Sequence, residues 1–168
     1  MLYAELPTAR ASIEIAATPE QVWSLVSDVQ LMVKLSEELQ EVTWLDDATE
    51  PASGRQFSGR SFHPALGEWT SVSTITECEP GVRLVWDVDA GQGDEPSSQW
   101  GFEIEPTAAG TRLSQFGRMG PERSGLSYAI DRLPAKEAKI VANRLAEFQA
   151  GLESNLKAFK ELAEGTAG

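Results

Sequence analysis

Between about Pro134 and Ala163 the apolar residues Val141, Leu145, Phe148, Leu152, Leu156, Phe159 and Leu162 recur at steps of three and four. That spacing puts them on one stripe of an α-helix. Lys136, Glu137, Lys139, Glu147, Glu153, Lys157 and Lys160 take the opposite face. A helix over this range is roughly 45 Å long at 1.5 Å per residue, whereas strands of eight to ten residues reach only about 30 Å. A helix of this length with a single apolar face needs a broad surface to cover it. It can cross a whole sheet diagonally with its stripe facing inward.

Residues 40 to 119 have the pattern of such a sheet. Strand-like runs occupy 41–45, 55–62, 68–78, 82–88, 98–105 and 111–119, separated by turn signals such as "EPG" and "PTAAG". An earlier strand is expected where Ile13 and Ile15 alternate with Ser12 and Glu14. It is followed by "TPEQ", in which Thr18 caps a helix, Pro19 opens it and Gln21 completes a capping box. A second short helix is expected over about 30–37. "LSYAIDRLP" (126–134) is ambiguous between helix and loop.

Hairpin pairing shows which side chains share a face. Around "EPGV" a four-residue turn pairs Glu79 with Val82, which sets Ile75 opposite Trp86 and Ser73 opposite Val88. In the last hairpin Ile104 falls opposite Leu113, Phe102 opposite Gln115 and Trp100 opposite Gly117. At the corner "HPALG" any face-matched pairing joins Phe57, Gly59 and Ser61 with Trp69, Ser71 and Ser73. The inward row therefore mixes large aromatics with Gly and Ser, where a sheet packed tightly on a helix would use Val, Ile and Leu. Such a mixture leaves room beneath the helix, with hydroxyls and an amide to orient an occupant. The alternative is a plain core whose serines bond to backbone or buried water. The cavity is the reading preferred here.

The run "SIEIAATPEQVWSLVSDV", the hairpin "ITECEPGVRLVW", the segment "FEIEPTAAGTRLSQ" and the closing amphipathic helix together resemble the START-type (SRPBCC) superfamily, within it the polyketide cyclase/dehydrase-like branch. The resemblance spans about residues 10 to 163. It implies an α+β helix-grip fold: a curved antiparallel sheet of about seven strands around a long C-terminal helix, with two short helices after the first strand. It also implies a cavity for a hydrophobic small molecule between sheet and helix. No catalytic motif carries over position by position, and fold alone does not assign a reaction.

Direct inspection for chemistry points the same way. His63 sits at a hairpin tip before a proline and reads as a solvated turn residue. With one histidine and one cysteine the chain offers no conventional metal set. "DVDAGQGDEP" (87–96) departs from an EF-hand at its glycine and at its twelfth position, Ser98. Arg118, Glu122, Arg123 and Tyr128 cluster around the loop before the long helix. There Tyr128 or Arg118 would orient an enolate oxygen, or the group is simply the charged rim of a pocket.

Charge narrows the partners. Fourteen basic against 26 acidic residues give a net charge of −12, which repels nucleic acid and anionic membrane surfaces. The lone Cys78 suits a reducing cytoplasm, and no leader or membrane-spanning run is seen. At 168 residues, of which 41% are hydrophobic, the chain matches one domain.

The expectation is therefore a single cytoplasmic domain, residues 1–168, that binds a hydrophobic or aromatic small molecule without cofactor or metal. The candidate ligand-binding residues are Phe57, Gly59, Ser61, Trp69, Ser71, Ser73, Trp86, Trp100, Phe102, Gln115 and Gly117 from the sheet, with Phe148 and Leu152 from the helix. An aromatase/cyclase-type enzyme and a protein-interaction or stress-response module are the alternatives. The sequence names neither the ligand nor an oligomeric state.

Overall fold

In the computed structural model, which describes residues 1–165, the chain opens with a 3-10 turn at Tyr3–Glu5 that the sequence does not signal. It continues as β1 (Thr8–Ile15), α1 (Pro19–Val26), α2 (Val29–Leu35), β2 (Leu39–Trp44), β3 (Gln56–His63), β4 (Gly67–Glu79) and β5 (Arg83–Asp89). Then come β6 (Ser98–Thr107), β7 (Gly110–Met119), α3 (Gly125–Arg132) and α4 (Glu137–Ala163). The seven strands form one antiparallel sheet in the order β1-β7-β6-β5-β4-β3-β2. This is the helix-grip arrangement.

Local chemistry explains the boundaries. Thr18 Oγ1 accepts from the Gln21 N–H at 3.2 Å, and Gln21 Oε1 accepts from the Thr18 N–H at 2.9 Å. That capping box starts α1 as the sequence predicts. The ambiguous "LSYAIDR" is helical in α3: the Ser124 N–H donates to Ser127 Oγ at 3.0 Å, and Leu126 and Ser127 are buried.

Two of the three expected registers hold throughout: Trp100 faces Gly117 and Phe102 faces Gln115, and at the corner Ser61 faces Trp69, Gly59 faces Ser71 and Phe57 faces Ser73. The β4–β5 hairpin differs near its tip. Glu79 pairs with Arg83 instead of Val82, and an irregularity between Ile75 and Glu77 restores the expected Ile75–Trp86 and Ser73–Val88 pairs. The physical reason is the Pro80–Gly81 turn, in which Gly81 has φ 79° and the Val82 N–H closes onto the Glu79 carbonyl at 2.9 Å. The turn keeps Val82 outside the ladder. The extra residue is then absorbed as a bulge at Thr76.

α4 does not cross the sheet evenly. Its backbone runs closest to β1, then β7. Pairing places Ala9 and Ala11 inward on β1, opposite Gly117 and Gln115, and these small side chains let the helix approach. Trp86, Trp100 and Phe102 on β5 and β6 hold it off. At one end the gap is closed by α1 and a core that includes Ile15, Val22, Val26, Ile104, Leu113, Leu156 and Phe159. At the other end it stays open.

Candidate functional site

The open end is a cavity of about 610 Å³, within the range that encloses a drug-sized molecule. One wall is aromatic. Phe57 and Trp86 have ring centroids 6.2 Å apart, Trp86 and Phe102 5.9 Å, and Phe102 and Phe159 5.4 Å. Trp100 packs against Phe148 of α4 with ring centroids 4.7 Å apart and planes inclined by 45°, and donates its indole N–H to Ser98 Oγ at 3.1 Å. These rings offer flat apolar area at little conformational cost.

A polar row runs through this apolar lining. Ser61, Ser71 and Ser73 project from the inward rows of β3 and β4, and Gln115 projects from β7 toward Asn155 of α4. The Asn155 amide donates to Gln115 Oε1 over a long 3.5 Å. Ser73 and Gln115 are each only 4% exposed. Among the described residues the three serine hydroxyls have no side-chain hydrogen-bond partner from the protein. A buried polar group normally has a partner; Ser73 is buried and Ser61 and Ser71 are half-buried, and all three hydroxyls are open to an occupant.

At the mouth, Tyr128 of α3 donates its hydroxyl to Gln92 Oε1 at 2.7 Å, joining α3 to the loop between β5 and β6. Arg123 lies over the Tyr128 ring at 5.6 Å and pairs with Asp131.

A charged knot lies where α2 leads into β2 and the β3–β4 tip meets α4. Arg144 is buried, at 8% exposed. Its Nη1 donates to Glu38 Oε1 and to Glu147 Oε2, each at 2.6 Å, and its Nη2 donates to Glu38 Oε2 at 2.8 Å. The guanidinium also lies 5.0 Å from the Phe148 ring centre. Burial works against the charge of Arg144, but the hydrogen bonds and charges of Glu38 and Glu147 prevail and raise its pKa above the ordinary value. Burial likewise opposes ionisation of Glu147, yet Arg144 and His63 hold its carboxyl below the usual range. His63 Nδ1 accepts from the Ala65 N–H at 3.0 Å, so Nε2 carries the proton and faces Glu147 Oε2 at 3.2 Å.

Carboxylate oxygens of Glu38 and Glu147 and a His63 nitrogen all lie within 4.8 Å of one another. That spacing suits a cation, and the cation present is the guanidinium itself. His63 is thus not the solvated turn residue that the sequence suggests. The hairpin tip bends over the cavity and ties itself to α4, leaving the imidazole 15% exposed.

Most of the predicted set comes together. Phe57, Gly59, Ser61, Trp69, Ser71, Ser73, Trp86, Trp100, Phe102, Gln115 and Phe148 line the cavity. Gly117 does not, because the room it leaves is filled: an added Cβ would lie 2.5 Å from the Trp100 ring. Leu152 is 1% exposed and off the wall, packed where the helix lies close to the sheet. Arg118 also lies off the wall. It follows inward-facing Gly117, so the pleat turns it to the outer face beside Thr8 and Gln99.

Sequence reasoning missed Glu38, Arg144, Asn155 and the mouth residue Gln92. A signal existed for two of them. Arg144 lies three residues after Val141 and four before Phe148, and Asn155 lies three after Leu152 and four before Phe159. Polar residues inside an apolar helical stripe mark positions that face something other than plain core. Glu38 had no such signal.

The family model described as polyketide cyclase / dehydrase and lipid transport matches residues 7–164. No protein of curated function matches in sequence. Among solved structures, the chain is similar to a Polyketide_cyc-like protein from Corynebacterium glutamicum, with 27% identity, TM-score 0.67, and coverage of 95% of this chain and 92% of that one. It shares its fold with the di-domain ARO/CYC StfQ from the steffimycin biosynthetic pathway, at 15% identity and TM-score 0.70, covering 96% of this chain and 52% of that one. It shares the fold likewise with the Aha1 dimer from Colwellia psychrerythraea, at 13% identity and TM-score 0.58, covering 97% and 100%.

Proposed function

Because the chain belongs to the polyketide cyclase / dehydrase and lipid transport family, we propose that it binds a hydrophobic or aromatic small molecule between its sheet and α4. The observation that carries this reading is the pairing of a 610 Å³ aromatic-walled cavity with hydroxyls that have no protein partner. A packed core would have filled the one and bonded the other. Ring-bearing ligands would stack on Trp69, Trp86, Trp100 and Phe148, and their oxygens would meet Ser61, Ser71, Ser73 and Gln115. The same reading places the protein in the cytoplasm as a carrier or sensor that needs neither metal nor cofactor.

Binding is favoured over cyclase chemistry because of how three ionisable groups on the wall are engaged. Arg144 and Glu38 are tied to each other, and the Tyr128 hydroxyl is given to Gln92. The test is native mass spectrometry of freshly purified protein, together with tryptophan quenching and melting shifts over a panel of hydrophobic compounds. A co-purifying small molecule, or a compound that both quenches and raises the melting temperature, is the expected result. No mass increment and no shift from any compound would overturn it.

A further inference from the structure

The unusual element of the cavity wall is a cation that has no free charge to offer. Arg144 is the cavity's buried guanidinium, and both carboxylate oxygens of Glu38 grip it in a two-pronged bond. Glu147 takes a third donor contact. Two carboxylates against one guanidinium leave these three side chains with an excess of one negative charge. The other charged residues on the wall, Glu68 and Arg132, are solvent-exposed, so water screens them. The groups left to meet a buried ligand head are uncharged: Ser61, Ser71, Ser73, Gln115 and Asn155.

The geometry points to Glu38 as the residue that sets the charge selectivity of the cavity: by occupying Arg144 it reserves the site for uncharged, oxygen-bearing ligands and turns carboxylates away. This rests on the cavity-binding reading above and names the ligand class for it. A carboxylate entering the wild-type cavity would lose its water and find no buried cation free to pair with it, the exposed Arg132 being screened by water, next to a knot with one more carboxylate than guanidinium. A hydroxyl or ketone loses far less water and finds hydroxyl and amide partners. Glu38→Gln would remove one negative charge and leave Arg144 with donors that glutamine satisfies only through its single carbonyl oxygen. The buried arginine then becomes a carboxylate anchor.

Pyrene probes separate these outcomes, because 1-pyrenemethanol and 1-pyrenecarboxylate share one body and differ in charge. Each is titrated against the protein, with energy transfer from the cavity tryptophans as the signal. The wild type is expected to bind the alcohol at least tenfold more tightly than the carboxylate, a ratio that Glu38→Gln brings to about one or inverts. Comparing two probes within one variant cancels any general loosening of the fold. Should Glu38→Gln fail to fold, Glu147→Gln removes the more exposed carboxylate and should shift the ratio in the same direction by a smaller factor. A wild type that binds both probes equally, or folded variants that keep the wild-type ratio, overturns the selectivity role and leaves the binding reading standing. Binding of neither probe counts against the cavity reading itself, and the selectivity role falls with it.

Discussion

Arg144 and Glu38, 106 residues apart in the chain, face each other through two parallel hydrogen bonds of 2.6 and 2.8 Å. This bond joins the long helix to the segment between α2 and β2, and Glu147 and His63 extend it to the tip of the β3–β4 hairpin. The β2–β3 ladder already holds Glu38 close to the His63 arm, with the Phe62 N–H bonded to the Glu38 carbonyl at 2.9 Å, and the side-chain knot ties both to α4 at the edge of the cavity.

Removing the guanidinium should expose that dependence. Arg144→Met leaves two carboxylates within reach of each other with no cation between them. A loss of about 2 kcal/mol is expected, below the usual cost of breaking a fully buried pair because both acids are partly solvated. Urea unfolding near neutral pH measures it, and an unchanged midpoint would show that the knot contributes nothing to stability.

The pH dependence has a definite sign. Burial pushes the Glu147 carboxyl upward, but the bond to Arg144 prevails and sets it below its ordinary value of 4.5. A group whose folded pKa is depressed stabilises the fold above the unfolded value and loses that contribution as the pH falls through the folded one. The melting-temperature gap between wild type and Glu147→Gln should therefore be flat above about pH 5.5 and shrink below about pH 4.5. A gap that widens on acidification would contradict the assignment.

Gly117 carries a packing prediction. An added Cβ would sit 2.5 Å from the Trp100 ring, and that ring is held on its other side by Phe148. Gly117→Ala should cost about 1–3 kcal/mol, the range for overpacking a filled site, and should change the near-ultraviolet circular dichroism of the tryptophans. A fully stable, spectroscopically silent variant would mean that the ring has room to retreat.

Ser73 should behave unlike an ordinary buried serine. Its hydroxyl has no protein partner, so Ser73→Ala loses no internal hydrogen bond. Stability is expected to stay within about 0.5 kcal/mol of wild type or to rise, while 1-pyrenemethanol binds more weakly. A clear drop in melting temperature would show the hydroxyl to be structural.

What was legible in the sequence was local. The Thr18 cap, the hairpin pairs and the stripe of α4 depend on residues a few positions apart, or joined by a short turn, and pleat and helix period then dictate their faces. The inward placement of Phe57, Ser71, Ser73, Trp86, Trp100 and Gln115 follows from that periodicity, and so does most of the cavity wall. Even the register error at Glu79 was confined to the turn, because a single bulge at Thr76 cancelled it.

Tertiary structure alone decided how the space was divided. Gly117 makes a vacancy in sequence, yet the Trp100 ring fills it, and which ring swings into a gap depends on packing from the opposite layer. Ala9 and Ala11 bring α4 down over β1, which moves Leu152 off the wall. Strand pairing brings Glu38 and His63 side by side, but Arg144 comes from a separate segment, and no periodicity couples it to them. Their meeting depends on where the sheet's curvature carries the hairpin tip, and opposite charges can select one another only after the fold has brought them within reach.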